Sequence, residues 1–268
     1  SMALLEEAGI KIPGGKRTLL VPARNFPVEV LFLRDDDIPE SVASGVADVG
    51  IVGLNEVMEK RCPVGILKKL GFGKCRLSLA IPQNIDYQDR NWFSGKKIAT
   101  SYPGILSDYL HKNGIVSDIH VITGSVEIAP GIRLADAIFD IVSSGSTLVS
   151  NRLKEVETVV ESEAVLIGTD SISPEKRGIL DELLFRFDSV QAADDKKYIL
   201  MNVPQKKLND VLSVLPGIKS PTVMPLADKE WCSVHTVLDE KCFWEIINRL
   251  KTAGAEGILV LDIEKMIL

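Results

Sequence analysis

Pro39-Glu40-Ser41-Val42-Ala43-Ser44-Gly45 leads into Ala47-Asp48-Val49-Gly50-Ile51-Val52-Gly53, and these adjoining stretches decide the fold class. The first reads as a short helix closed by glycine. The second is an apolar run that ends in glycine and opens another helix. The same grammar returns at Leu134-Ala135-Asp136-Ala137-Ile138-Phe139-Asp140-Ile141-Val142, which ends in serines before a further helix. Short apolar runs bounded by turn residues read as buried strands. Helix–strand–helix alternation implies α/β lobes with largely parallel sheets. Two lobes of similar grammar predict a two-lobed protein with a cleft.

Outward from these stretches, Cys75-Arg76-Leu77-Ser78-Leu79-Ala80-Ile81-Pro82 alternates like a strand and stops at proline. The polar stretch 83–91 is the expected crossover to the second lobe, which starts with the strand Lys97-Ile98-Ala99-Thr100-Ser101. The run Ala164–Thr169 and a helix over 175–187 are expected to return to the first lobe. From Lys196 the pattern changes. Tyr198–Val203, Thr222–Leu226, Trp231–Leu238 and Gly257–Ile263 read as strands. Leu208, Val211, Leu212 and Leu215 fall at helical spacing, as do Phe243, Ile246, Ile247 and Leu250, with Pro216-Gly217 and Gly254 as stops. The order β-α-β-β-α-β is that of a ferredoxin-like module. The expected division is 1–84 with 164–192 as the first lobe, 85–163 as the second, and 193–268 as the ferredoxin-like domain. Ser1–Gly9 reads as a helix where an α/β enzyme usually has a strand, so an upstream strand is expected.

The totals exclude several classes. The chain has 268 residues, 46% of them hydrophobic and 25% charged, the profile of a soluble globular protein of two or three units. No apolar run approaches the ~20 residues a membrane span needs, and no secretory leader is evident. With 31 basic and 37 acidic residues the net charge is −6, and no Lys/Arg stripe suits a nucleic-acid backbone. Phosphorylated ligands would have to be met locally by amides, a metal ion and a few cations. The four cysteines, Cys62, Cys75, Cys232 and Cys242, form no C-x-x-C pair, so neither a zinc site nor a disulfide framework is indicated. A cytoplasmic protein is expected. His111, His120 and His235 sit in no Ser/His, Cys/His or metal-ligand motif.

Asp140-Ile141-Val142-Ser143-Ser144-Gly145-Ser146-Thr147-Leu148 carries the chemistry. A strand ends in a hydroxyl-rich, glycine-containing loop, and a helix follows. This arrangement directs backbone N–H groups and a helix N-terminus at one point, which suits a phosphate. Asp140, just before the loop, could accept hydrogen bonds from the two vicinal hydroxyls of a ribose. A plain serine-capped helix is the competing reading of the same pattern.

The Asp140–Thr147 segment resembles the phosphoribosyl-diphosphate loop of the ATP phosphoribosyltransferases. Further stretches look like that family in the same order: Arg34–Pro39, Gly50–Gly53, Gly73–Ser78, Ile98–Pro103 and Gly124–Pro130. In the C-terminal part Ser220-Pro221-Thr222, Pro225-Leu226-Ala227 and Ile258–Met266 do so too. The resemblance spans essentially the whole chain, and the extra C-terminal domain marks the long form. It implies two lobes like those of type II periplasmic binding proteins, followed by a regulatory domain. It implies attack of ATP N1 on C1 of phosphoribosyl diphosphate, release of diphosphate, Mg²⁺ as cofactor and feedback by histidine in histidine biosynthesis. A homo-oligomer, from dimer to hexamer, is implied as well. The family opens with a strand and a Gly-Arg loop that do not precede Ser1 here, so reduced activity is expected of a chain that begins at Ser1.

Within that frame, catalytic roles fall to Asp140 and Glu127, the latter toward ribose hydroxyls or a Mg²⁺-bound water. Ser143, Ser144, Gly145, Ser146 and Thr147 are expected to hold phosphate. Arg76 is expected to meet ATP phosphates against the alternative of a surface ion pair. Ser101 and Tyr102 end a strand at the cleft, where the ring could stack on a nucleotide or simply pack. Asp35, Asp36 and Asp37 read as helix-capping residues. Thr222 is the expected histidine contact. No protein metal site is predicted. Two rivals remain: a two-lobed solute-binding protein and a catalytically inactive regulatory homologue.

Overall fold

The computed structural model describes residues 1–14, 19–216 and 221–268. Gly217 of the expected helix stop and Ser220 of the Ser220-Pro221-Thr222 motif lie outside the described residues. In chain order the elements are α1 (Met2–Glu7), β1 (Leu20–Pro22), β2 (Glu29–Leu31), α2 (Ile38–Ala43), β3 (Val49–Gly53), α3 (Leu54–Lys60), β4 (Gly65–Lys69) and β5 (Cys75–Pro82). Then come β6 (Lys97–Thr100), α4 (Pro103–Lys112), β7 (Asp118–Val121), β8 (Ala137–Val142), α5 (Ser146–Ser150), β9 (Leu153–Ser162), β10 (Ala164–Gly168) and α6 (Pro174–Ala193). The last are β11 (Lys196–Pro204), α7 (Leu208–Val214), β12 (Thr222–Pro225), β13 (Trp231–Asp239), α8 (Glu240–Ala253) and β14 (Glu256–Asp262). No described helix is long and apolar enough to cross a membrane.

The chain divides into two compact units: Pro13–Ala23 with Pro27–Gly178, and Ser1–Ile12 with Arg24–Phe26 and Ile179–Leu268. The first holds two main sheets, one per lobe. β3, β10 and β4 form a three-stranded sheet, and β7-β6-β8-β5-β9 a five-stranded one. The sheets are mixed rather than largely parallel. Among the described residues only β6 with β7 and β6 with β8 run parallel; β5 is antiparallel to β8 and β9, and β10 to β3 and β4. The reason is that two nearly continuous extended runs, β4–β5 and β9–β10, pass from one sheet to the other. β9 and β10 are separated by Glu163 alone.

The same geometry moves the expected crossover. β5 pairs with β8 and β9, so it lies in the second lobe's sheet, not the first. The crossing is at 70–74, upstream of the polar stretch 83–91. Strand alternation shows that β5 is a strand but not which sheet it joins. A second boundary also shifts. The division falls inside α6, and Ile179 onward groups with the C-terminal part. Side chains on the second half of α6 explain this. Arg186 donates to the Ala8 carbonyl and lies 4.7 Å over the Phe26 ring, and the Ser189 carbonyl accepts the Met266 N–H.

The core of the five-stranded sheet is built from Leu77, Leu79, Ile81, Phe93, Ile98 and Phe139, all with no exposed surface. Each such side chain contributes about 1.5–3 kcal/mol by leaving water. β8 shows how the core positions the loop. Ala137, Ile138, Phe139 and Val142 are buried, Asp140 is half-buried and Ile141 is exposed on the other face. In the three-stranded sheet, α2 rides close over β3. A Cβ at Gly50 would sit 2.6 Å from Ile38 Cγ2, so the residue there must lack one. Asp37 caps α2 without a side-chain hydrogen bond. Asp35–Asp37 form a 3₁₀ turn instead, and Asp36 lies within 3.5 Å of Arg34 and 3.9 Å of Lys60.

The C-terminal sheet is antiparallel, in the order β12-β13-β11-β14, the ferredoxin-like arrangement of a β-α-β-β-α-β chain. Ile199, Met201 and Val203 of β11 are fully buried with Val211 of α7 and Phe243 and Leu250 of α8. Gly254 closes α8 in the left-handed region, and the Ala255 N–H returns to the Leu250 carbonyl.

Candidate active site

Parallel register brings three strand ends to one edge of the five-stranded sheet. β7, β6 and β8 run the same way, so 101–102, 122–127 and 143–147 emerge beyond their carboxyl ends, with Asp140 in the last part of β8. That edge is where open α/β sheets bind ligands.

The loop after β8 has the local geometry of an anion cradle. Gly145 adopts φ 79°, ψ −1°, which a side chain would strain, and serves as N-cap of α5. The Ser144 hydroxyl lies 2.9 Å from the Ser146 hydroxyl and accepts the Ser146 N–H at 3.4 Å. The Thr147 carbonyl is fixed from behind by the Asn151 side chain at 2.9 Å. The first N–H groups of any helix lack intrahelical partners, and in α5 the first of them, at Ser146, turns to the Ser144 hydroxyl. Ser144, Gly145 and Ser146 also line an open groove of about 640 Å³ shared with Arg76, Gln83, Lys154 and Glu155.

Asp140 accepts the Ile141 N–H at 2.8 Å. Burial pushes its pKa above the usual carboxylate value, the Ile141 N–H opposes this, and the negative charge of Glu127 adds to the rise. Glu127 is half-buried on the 3₁₀ turn Val126–Ile128, near enough for its charge to act on Asp140. A carboxylate near the end of β8 and another on the preceding 3₁₀ turn, beside a hydroxyl-rich loop, can hold vicinal hydroxyls and help neutralise a cation. No cluster of three or more Asp, Glu, His or Cys suited to a metal occurs among the described residues.

Arg76 is not poised outward. Its Nε and Nη2 each donate at 2.5 Å to the Glu155 carboxylate, and Nη1 donates to the Ser143 carbonyl at 3.2 Å. The guanidinium holds the Glu155 carboxyl down at about 2, with Ser78 and Thr158 hydroxyls assisting against desolvation. The Ser101 hydroxyl donates to the Ile122 carbonyl at 2.8 Å, joining the β6 and β7 ends. Tyr102 is 8% exposed, with its ring in the sheet core; its hydroxyl donates to Glu56 at 2.8 Å and accepts from Asn55 at 3.2 Å. The ring therefore packs rather than offering a stacking surface.

Glu56 and Glu155 are charged residues that the sequence reading passed over. Burial raises the Glu56 pKa, against the Tyr102 hydrogen bond that lowers it. Neither residue stands in a motif. The only available signal was the polar residue interrupting the strand Leu153-Lys154-Glu155-Val156. Tyr102→Phe should keep the ring's packing while removing one hydrogen bond each from Glu56 and Asn55, which remain bonded to one another at 3.0 Å. The expected cost is about 1–2 kcal/mol of stability, read by denaturant unfolding, with turnover within about threefold. Loss of turnover with stability unchanged would mean that the hydroxyl faces substrate.

The fold and the gathered loop define a mixed α/β protein with a candidate ligand site at one sheet edge. A family model described as "ATP phosphoribosyltransferase" matches residues 34–189, and one described as "HisG, C-terminal domain" matches 193–265. ATP phosphoribosyltransferases of Bacteroides fragilis and Phocaeicola vulgatus are each 69% identical to the chain over 268 residues, covering 100% of it and 95% of the relatives. The ATP phosphoribosyl transferase (HisG:HisZ) complex from Thermotoga maritima contains a chain that superposes with TM-score 0.60 at 25% identity, over 69% of this chain and 89% of that one. The chain belongs to the ATP phosphoribosyltransferase family.

Proposed function

We propose that the chain transfers the 5-phosphoribosyl group from phosphoribosyl diphosphate to N1 of ATP, the first step of histidine biosynthesis, and that free histidine inhibits it through the C-terminal domain. The observation that carries the reading is the convergence of Asp140, Glu127 and the Ser143–Thr147 loop at one sheet edge in a chain of this family. The loop amides and hydroxyls receive the 5′-phosphate, and Asp140 accepts from the ribose hydroxyls. The C1–O bond to diphosphate breaks as the N1–C1 bond forms, and the electron pair leaves with diphosphate. C1 gains oxocarbenium character, which the carboxylates of Asp140 and Glu127 stabilise electrostatically. No covalent protein nucleophile is needed, and most of the rate comes from alignment of two anionic substrates. Ser101 ties the β6 end to the β7 end, and Tyr102 supports it from the core.

Mg²⁺ fits this donor set. It keeps most of its waters and is bound through substrate phosphates with one or two carboxylates, so Asp140 and Glu127 suffice without a protein cage. When bound it supplies positive charge to the diphosphate. On this reading the protein works in the cytoplasm as a homo-oligomer. The test is direct: ATP, phosphoribosyl diphosphate and Mg²⁺ are incubated with the full chain, and the absorbance of the modified adenine is followed. Turnover should stop on chelation with EDTA and return with added Mg²⁺. Binding of phosphoribosyl diphosphate without any product would favour an inactive homologue, and indifference to it a solute receptor.

A further inference from the structure

We infer that Glu155 is a positioning residue: through Arg76 it fixes the first carbonyl of the phosphate loop and so sets the affinity for phosphoribosyl diphosphate. The inference rests on the loop reading above and adds to it a residue with no place in any motif. Four donors converge on the Glu155 carboxylate. They are Arg76 Nε and Nη2 at 2.5 Å each, the Ser78 hydroxyl at 2.7 Å and the Thr158 hydroxyl at 3.1 Å. Ser78 is 1% exposed in the centre of β5, so the carboxylate is anchored to the rigid part of the sheet. A planar guanidinium bound by its Nε/Nη2 edge has its remaining nitrogen aimed in a fixed direction. Here that nitrogen, Nη1, reaches the Ser143 carbonyl at 3.2 Å. Glu155, Arg76 and Ser144–Ser146 line the same groove. A carboxylate beside an anion-binding loop repels its ligand. Its presence there is explained if the orientation it imposes on Arg76 outweighs that repulsion.

The two effects have opposite signs, which makes the inference testable. Glu155→Gln removes a negative charge. Repulsion alone would then tighten phosphoribosyl diphosphate binding, and a guanidinium released to meet ATP phosphates would lower the KM for ATP. Positioning predicts the reverse: the KM for phosphoribosyl diphosphate rises about fivefold to tenfold, as loss of one ordinary hydrogen bond gives. The KM for ATP and kcat should stay within about twofold. Arg76→Lys cannot span both partners and should show the same selective rise. The double variant should be no worse than either single one, because both break one chain of contacts. A general loss of folding would lower the melting temperature and the active fraction without selecting one KM. If Glu155→Gln does not fold, Arg76→Lys carries the same expectation. An unchanged or lowered KM for phosphoribosyl diphosphate, or additive effects in the double variant, overturns the inference. Asp140→Asn separates this from the parent reading. If that variant loses phosphoribosyl diphosphate binding while Glu155→Gln keeps it, only the positioning role fails. If Asp140→Asn binds normally, the loop reading itself fails.

Discussion

Asp140→Asn should reduce kcat/KM by about a thousandfold, roughly 4 kcal/mol of transition-state stabilisation, while leaving the protein as stable as before or slightly more so. The two expectations come from one feature. Burial and the Glu127 charge hold the Asp140 pKa above its ordinary value, so the fold pays to keep this carboxylate ionised. The linkage follows from that direction. A carboxyl whose pKa is raised on folding binds its proton more tightly in the native state, so its contribution to stability falls as pH rises from the unfolded towards the folded value. At neutral pH the asparagine removes that penalty, and its Oδ1 can still accept the Ile141 N–H. Residues retained at a cost to the fold are those that function requires. Activity of the unmodified chain should also decline on acidification before that of an ordinary aspartate would, because the ionised form is lost earlier. The measurement pairs steady-state kinetics with thermal unfolding for both chains. A variant with nearly full activity would remove Asp140 from the ribose site. A variant that is inactive and also markedly destabilised would make its role structural.

The architecture was readable where local pattern and tertiary demand agree. In the C-terminal domain, helical spacing at Leu208–Leu215 and Phe243–Leu250 and the alternating strands between them suffice, because each element buries one face against its neighbours. The strand–Ser/Gly–helix segment at 137–150 was readable for the same reason: the apolar run Ala137–Val142 ends in a serine- and glycine-rich turn before α5. Sheet membership was not readable. β5 alternates identically whichever sheet it enters, and only its pairing with β8 and β9 decides. Nor could the pattern show that α6 divides between units, since Arg186 and Ser189 reveal their partners only in three dimensions. In the candidate site, the loop and Asp140 announce themselves by a motif. Glu155 and Glu56 act through contacts with Arg76 and Tyr102 that lie 79 and 46 residues away in sequence. Single-sequence reasoning favours contiguous signals and passes over such pairs.

Thr222→Arg should abolish inhibition by histidine, raising its half-inhibitory concentration at least about tenfold, or ~1.4 kcal/mol, while uninhibited turnover stays within about twofold. Thr222 is exposed on β12, an edge strand, and lies directly opposite His235 on β13, which in turn lies opposite Leu200 of β11. Residues opposite one another in an antiparallel sheet share a face. Since Ile199, Met201 and Val203 point at the helices, Leu200, His235 and Thr222 share the face turned away from them. The His235 ring is hydrogen-bonded on both sides, to Tyr198 at 2.8 Å and Ser233 at 3.0 Å, so this polar strip is pre-organised next to an unpaired strand edge. A zwitterionic amino acid needs such a set of donors and acceptors, and an arginine at 222 would fill the space with a long cation. The coupling must be reciprocal. If histidine weakens phosphoribosyl diphosphate binding by some factor, saturating phosphoribosyl diphosphate must weaken histidine binding by the same factor. Calorimetric titration of histidine with and without that substrate measures this for the full chain, and the variant should show no histidine binding in either titration. Unaltered inhibition in Thr222→Arg would move the regulatory site off this strip, and failure of histidine to inhibit the unmodified chain would leave the C-terminal sheet a purely architectural role.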